Sequence, residues 1–294
     1  LKKIFPSAPA SSFYKMGKTK KVRINEKKTE PGDRIYTDDH VAVYLSATEY
    51  EAYSQKVTSP ALPLLSSLSP DRILYEDDSL LIVDKPSGLN VHPGDHKTTE
   101  VSLIQLVQDY LKDRKDRAFS PALVHRIDRD TTGIVMIAKT RPALLFLLEE
   151  LQTFKIEKWY RARIFPNLKE SSGTIKFPLL RIENAENENK VRVDPSGQKA
   201  ITHYRVIERD HHGDDVEVRL ETGRMHQIRV HFAHMGSPIL GDRTYGTPTD
   251  KKYSRELGIK RQLLHAWKVV FRHPLTHKKM EVIAPIPSDF LINQ

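Results

Sequence analysis

The sequence predicts an α+β protein. Period-two alternation of apolar and polar residues recurs in many short segments, apolar stripes at helical spacing are few, and residues 134–138 (IVMIA) form a short, continuously apolar run. Such a run reads as a strand covered on both faces. In chain order, residues 11–16 suit a short helix. Val22 and Ile24 alternate with charges, residues 25–28 and 31–33 read as turns, and Val41, Val43 and Leu45 alternate as a strand. Residues 47–70 are rich in Ser, Ala and Pro without a sustained period, the composition of a linker. The expected organisation is therefore a small module over 1–46, a linker over 47–70 and a large domain over 71–294.

Within the large domain, 73–75 and 80–83 read as strands and 85–88 (KPSG) as a turn. Ile104, Val107 and Leu111 stripe one helix, and Leu144, Leu148 and Leu151 stripe another. Residues 153–165 alternate as a strand carrying Lys158 and Tyr160, and 198–207 and 216–220 supply two more. Residues 183–190 (ENAENENK) form a polar loop. His211, His212, Asp214 and Asp215 surround Gly213 and read as a solvated hairpin loop.

Composition excludes several classes. The chain of 294 residues is 38% hydrophobic and 29% charged, which suits a soluble protein with a substantial core. It lacks the apolar run of about 18 residues that a membrane helix needs. No basic region followed by an apolar one opens the chain, so a secretory signal is not expected. Leu1 in place of Met predicts residues upstream. With no cysteine, disulfides, thiolate nucleophiles and Cys-ligated zinc are excluded, which fits a cytoplasmic location. The net charge is +9, and residues 1–28 hold nine Lys or Arg against the single acid Glu26. A basic end of this kind predicts a polyanion partner, the alternative being a solvated tail.

Two stretches carry candidate chemistry. In LVHRIDRDTTGIVMIAK (123–139), an extended 125–128 would project Arg126 and Asp128 together, with His125 and Ile127 on the other side. Residues 130–133 carry turn chemistry, and Gly133 can take a positive φ. A carboxylate and a guanidinium on a loop fixed by a core strand are placed for chemistry, or form a surface pair at a strand end. In ETGRMHQIRVHFAHMGSPILGDRTYG (221–246), Met225, Ile228, Phe232 and Met235 predict a buried helical stripe ending near Gly236. Arg229 falls at the edge of that stripe and needs an anion. His226, His231 and His234 lack the spacing of a helical metal pair and read as polar or packing residues.

The ordered set HRIDRDTTG, KWY and TGRMHQIRVHFAHMGSPILGD closely resembles the RluA family of RNA pseudouridine synthases. KPSG at 85–88, QKAITHY at 198–204, LLHA at 263–266 and APIPSDF at 284–290 extend the match over about residues 70–290. KKVRINEKK followed by PGD and an apolar strand resembles the alpha-L RNA-binding motif of a small-subunit ribosomal protein. The fold expected is a large mixed, mostly antiparallel sheet with flanking helices and a cleft holding Asp128. Lys15, Lys18, Lys20, Lys21 and Arg23 are the expected phosphate contacts of the N-terminal module.

The resemblance implies conversion of uridine in RNA to pseudouridine, without metal or organic cofactor. Asp128 matches the essential aspartate, which either attacks C1′ or removes the 2′ proton. Arg229 matches the arginine that pairs with it, Tyr160 the tyrosine that stacks on the uracil, and Arg126 the arginine that fills the stack when the uridine leaves. Asp130 is the rival carboxylate and is expected to cap backbone N–H groups. Thr132, Met225 and Ile127 depart mildly from the family pattern without touching the chemistry. The expected substrate is large-subunit ribosomal RNA, acted on by a monomer. The alternatives are a tRNA substrate or a non-catalytic RNA-binding assembly factor.

Overall fold

The computed structural model describes residues 16–29, 33–34, 36, 38–46, 49–50, 67–93, 101–112, 119–182, 190–290 and 292. Residues 11–15 of the expected helix over 11–16, Lys15 among them, most of the second turn at 31–33 and most of the polar loop 183–190 lie outside them. The chain divides into two compact units, Leu1–Leu64 and Leu65–Gln294.

The first unit holds a three-stranded antiparallel sheet of β1 (Val22–Ile24), β2 (Lys27–Lys28) and β3 (Val41–Val43), in the order β2-β1-β3. Residues 25–28 are thus not all turn: Asn25 and Glu26 take positive φ, and Lys27 and Lys28 already pair with β1. Lys18 and Lys20 are exposed, while Arg23 lays its guanidinium 4.9 Å from the Tyr44 ring centroid. Lys21 donates to Glu49 at 2.6 Å, so its charge is already matched. Glu49, from the expected linker, belongs by this contact with the small module.

The second unit is an α+β domain. Its strands are β4 (Ile73–Glu76), β5 (Leu80–Lys85), β6 (Ala122–Leu123), β7 (Thr132–Ala138), β8 (Glu157–Ile164), β9 (Ser172–Ile175), β10 (Leu179–Arg181), β11 (Val191–Val193), β12 (Thr202–Asp210), β13 (Gly213–Leu220), β14 (Leu264–Arg272) and β15 (Lys279–Ile283). The helices are α1 (Leu103–Tyr110), α2 (Arg141–Gln152), α3 (Gln227–His234) and α4 (Pro248–Glu256). The main sheet runs β4-β5-β7-β14-β8-β13-β12-β9, with β6 on β7 and β15 on β14. Its pairings are antiparallel except β7 with β14. β10 and β11 pair separately.

β7 starts at Thr132, two residues before the apolar run, because Thr132 and Gly133 pair with His265 and Ala266. Gly133 has φ +105°, and a Cβ there would stand 2.2 Å from the Ala266 carbonyl oxygen. Only glycine lets the two strands approach this closely. β5 and β7 are buried on every residue, as a central position in the sheet demands.

Three expectations are corrected. The buried face of α2 centres on Ala143, Leu147 and Glu150, which accepts from Arg272, while Leu144 and Leu151 of the expected stripe pack half-buried against the core beside it. The 211–215 segment is a hairpin, as expected, but it is solvated only at the His211–His212 turn: β13 begins at Gly213, and Asp214 is fully buried, accepting the Leu168 N–H at 2.8 Å. α3 begins two residues after Met225, and Met235, at its C-cap, is exposed, so the buried part of the stripe is Ile228 and Phe232.

Candidate active site

The parallel β7–β14 pair and β8 beside it fix a short row across the sheet. Gly133 is in register with Ala266, and Ala266 with Tyr160. Only the small Ala266 thus stands opposite Tyr160 on the neighbouring strand β14, and Tyr160 lines a cavity of about 480 Å³. Its lining includes His125–Asp128 from the loop before β7, Lys158 and Tyr160 from β8, and Thr222–Arg224 with His226–Arg229 leading into and along α3.

Asp128 is held at the cavity by local and distant bonds. Its carbonyl accepts the Thr131 N–H at 3.1 Å, closing the turn at Arg129–Asp130. Ile127 is buried and Arg126 exposed, so the extended loop separates an anchoring side chain from a solvent-facing one. His125 accepts the Met136 N–H on Nε2 at 3.2 Å, and burial pushes its imidazole down to about 3. Beneath the loop, Lys85 is fully buried, and its Nζ donates to the carbonyls of Pro86 (2.8 Å), Leu89 (2.9 Å) and Arg129 (2.7 Å). Burial pushes the amine down to about 7, but three acceptors at this range call for three N–H bonds, so the cage fits the ammonium. Lys85 ties KPSG to the turn that carries Asp130.

α3 brings Arg229 to the same point. Gln227, at its first turn, uses its whole amide: Oε1 accepts from Thr222 Oγ1 and the Arg224 N–H, and Nε2 donates to the Ile201 carbonyl and Thr202 Oγ1. With the helix start fixed, Arg229 Nη1 donates to Asp128 Oδ2 at 2.9 Å. Its Nε and Nη2 donate to the two oxygens of Asp242 at 2.7 and 3.0 Å, and Nη2 also reaches Thr244 Oγ1 at 3.0 Å. Burial works against both charges of the Arg229–Asp242 pair. The bidentate contact nevertheless raises the guanidinium pKa and holds the Asp242 carboxyl below the usual range.

His226 precedes α3 in the left-handed region, φ +53°, with Nε2 3.8 Å from Asp128 Oδ2. Tyr245 Oη accepts the Val191 N–H at 3.0 Å and meets His226 Nδ1 at 2.7 Å. A hydroxyl that donates to Nδ1 leaves the proton of a neutral imidazole on Nε2, toward Asp128. Burial lowers the His226 pKa, favouring that neutral form.

Burial, with the Asp128 charge adding to it, raises the Tyr160 hydroxyl pKa, so the phenol stays protonated. Lys158 points into the cavity with its pKa lowered by burial, and its ammonium has no anion partner among the described residues.

The structure thus brings together Asp128, Arg229, Tyr160 and Arg126, all singled out in the sequence. Reading the sequence missed Asp242, which ends the SPILGD motif yet seemed only part of a pattern. It also missed the position of His226 beside the aspartate. His231, by contrast, packs as expected, bonded to Thr202 Oγ1 and the Phe177 carbonyl, each at 2.9 Å. No cluster able to hold a metal occurs among the described residues.

A family model described as RNA pseudouridylate synthase matches residues 79–234. The chain belongs to that family. It is an RNA pseudouridine synthase of the RluA family, as the ordered motifs implied. It is 34% identical over 303 residues to the ribosomal large subunit pseudouridine synthase D of Haemophilus influenzae, covering 99% of this chain and 87% of the relative. The corresponding protein of Pasteurella multocida is 41% identical over 230 residues, 76% of this chain and 69% of the relative. The solved structure of human RNA pseudouridylate synthase domain containing 4 superposes with a TM-score of 0.60 at 24% identity, covering 76% of this chain and 91% of that one. At that identity the likeness speaks for the fold alone. Among the described residues, no helix of this pseudouridine synthase is long and apolar enough to cross a membrane.

Proposed function

We propose that this enzyme isomerises uridine to pseudouridine in large-subunit ribosomal RNA, with Asp128 as the reacting carboxylate. The observation that carries the reading is the Asp128–Arg229 contact of 2.9 Å at a cavity that also presents Tyr160. The names of the similar large-subunit enzymes support the choice of RNA. In the reaction the N1–C1′ bond breaks, the uracil turns, and a C5–C1′ bond forms. The C5 proton then leaves and N1 gains a proton.

Arg229 holds the carboxylate in one rotamer, since its other nitrogens are occupied by Asp242. The carboxylate either adds to C1′, giving a sugar ester later displaced by C5, or takes the 2′ proton to give a glycal. Tyr160 offers a ring face to the uracil and a protonated hydroxyl near C5. Arg126, exposed at the mouth, fills the gap left in the RNA stack by the everted base. Among the cations of the first unit, Lys18, Lys20 and Arg23 serve as phosphate contacts, with Lys21 weakened by Glu49.

The test is Asp128→Asn. Pseudouridine formation in unmodified large-subunit RNA is expected to vanish while RNA affinity stays nearly unchanged. Full activity in that variant refutes the assignment. Mapping pseudouridines in RNA from cells lacking the protein identifies the sites, and an unchanged large-subunit map refutes the substrate.

A further inference from the structure

The turn after α2 contains a residue that the fold does not account for. Phe154 N–H donates to the Leu151 carbonyl at 3.3 Å and Lys155 N–H to the Glu150 carbonyl at 2.8 Å. With Thr153 at the C-cap, this pair of bonds is a Schellman motif, and it forces the residue after the cap into the left-handed region. Phe154 has φ +57°. Glycine, or else asparagine, is the usual occupant, because a Cβ crowds the backbone there and a bulky side chain is a clear outlier.

The strain is not offset by burial. Phe154 is 60% exposed and belongs to none of the apolar clusters found among the described residues. It instead lines the same cavity as Asp128, Lys158 and Tyr160, with Leu151 and Gln152 from the end of α2. Exposed Arg126 and Arg224 line that cavity as well, so the ring shares a cationic mouth. An aromatic face held on a rigid turn beside cations suits a flat, anionic polymer. Every nucleobase offers a π-face, and a base next to an everted nucleotide is left without a stacking neighbour.

We propose that Phe154 is a stacking platform for a nucleobase flanking the target uridine, a positioning residue that contributes to RNA binding rather than to bond breaking. This rests on the reading that the cavity receives an everted uridine. On this reading the backbone strain is retained because the ring is needed at that point.

The experiment compares the wild-type full chain with Phe154→Gly and Phe154→Trp on an unmodified transcript of large-subunit ribosomal RNA at one fixed salt concentration. Melting temperature, Kd by filter binding, KM and kcat are measured for each. Phe154→Gly is expected to melt at or above the wild-type temperature, because it relaxes the turn. Its Kd and KM should rise about five- to thirtyfold, with kcat within about twofold. Phe154→Trp should keep Kd near wild type. Unchanged RNA binding in Phe154→Gly overturns the proposal, and so does a lowered melting temperature with binding weakened equally in both variants, the mark of a structural ring. A wild-type chain that forms no pseudouridine in this transcript refutes the substrate reading instead, while the ratio of the two Kd values still decides the role of Phe154.

Discussion

Asp242 occupies two nitrogens of Arg229, and the third, Nη1, is what Arg229 presents to Asp128. Asp242 is fully buried and also accepts the N–H groups of Thr244 and Tyr245 at 2.8 and 3.1 Å, so it cannot turn to follow a displaced guanidinium. The geometry of the reacting carboxylate is thus set one residue further back than the ion pair at the cavity surface.

Asp242→Asn should therefore lower kcat at least tenfold while leaving RNA affinity within about twofold. It should also cost about 3 kcal/mol of stability, the lower end of the range for breaking a buried pair, since Asp128 remains as a partner. Single-turnover kinetics and denaturant unfolding check both. A variant that loses stability but keeps full kcat would reduce Asp242 to a purely structural anchor.

Lys158 shows the opposite pattern, a partly buried ammonium that no described residue neutralises. Such a charge costs folding free energy and is expected to be matched by a ligand anion, here an RNA phosphate. Lys158→Met should melt at or above the wild-type temperature and bind RNA at least fivefold more weakly. A drop in melting temperature would show that the ammonium serves the fold.

Buried histidines set a pH limit on stability. Burial pushes His125 to about 3 and His265 to about 4, from an ordinary value of 6.5. Both are bases kept neutral by folding, so below pH 6.5 the unfolded chain binds more protons than the native one. Stability is complete above that pH and falls as pH drops toward the native values. At pH 5 the loss reaches about 2 kcal/mol for each. His226 and His231, also lowered by burial, act in the same direction. The melting temperature should decline between pH 7 and 5, before the carboxylates of the ion pairs titrate, and His265→Gln should make that decline shallower. A flat profile across this range would contradict neutral burial.

Much of the site was legible because it is local. Residues 123–139 state their own geometry, with an extended loop, a turn and an apolar strand in sequence, and Arg229 was placed against a buried stripe by helical spacing alone. What escaped the reading depends on contacts between distant segments. Lys85 looked like a turn residue because its cage comes from the carbonyls of Pro86, Leu89 and, 44 residues away, Arg129. Asp214 looked solvated because the Leu168 N–H that it accepts in the interior comes from a segment 46 residues away. His226 looked like packing because its role follows from the Tyr245 hydroxyl and the Asp128 carboxylate, neither adjacent in sequence. On α2, Glu150 is buried through its bonds from Arg272, a partner on β14, so the most buried positions lie beside the leucine stripe rather than on it.

The basic first unit makes a prediction in salt. Lys20, Lys27 and Lys28 are exposed, whereas Lys21 is matched by Glu49, whose carboxyl it holds down at about 2. For every phosphate that is no longer neutralised, the slope of log affinity against log salt should shrink by about 0.7 to 0.9. Removing residues 1–64 from the chain should thus weaken binding to large-subunit RNA at low salt and flatten the slope by about 2 to 3. Lys27→Ala and Lys28→Ala should each account for close to one phosphate, and Lys21→Ala for less, because releasing that lysine from Glu49 offsets part of what the phosphate gives. A slope that does not change on removal would place the RNA grip wholly in the larger unit, where the cations at the cavity would have to carry it.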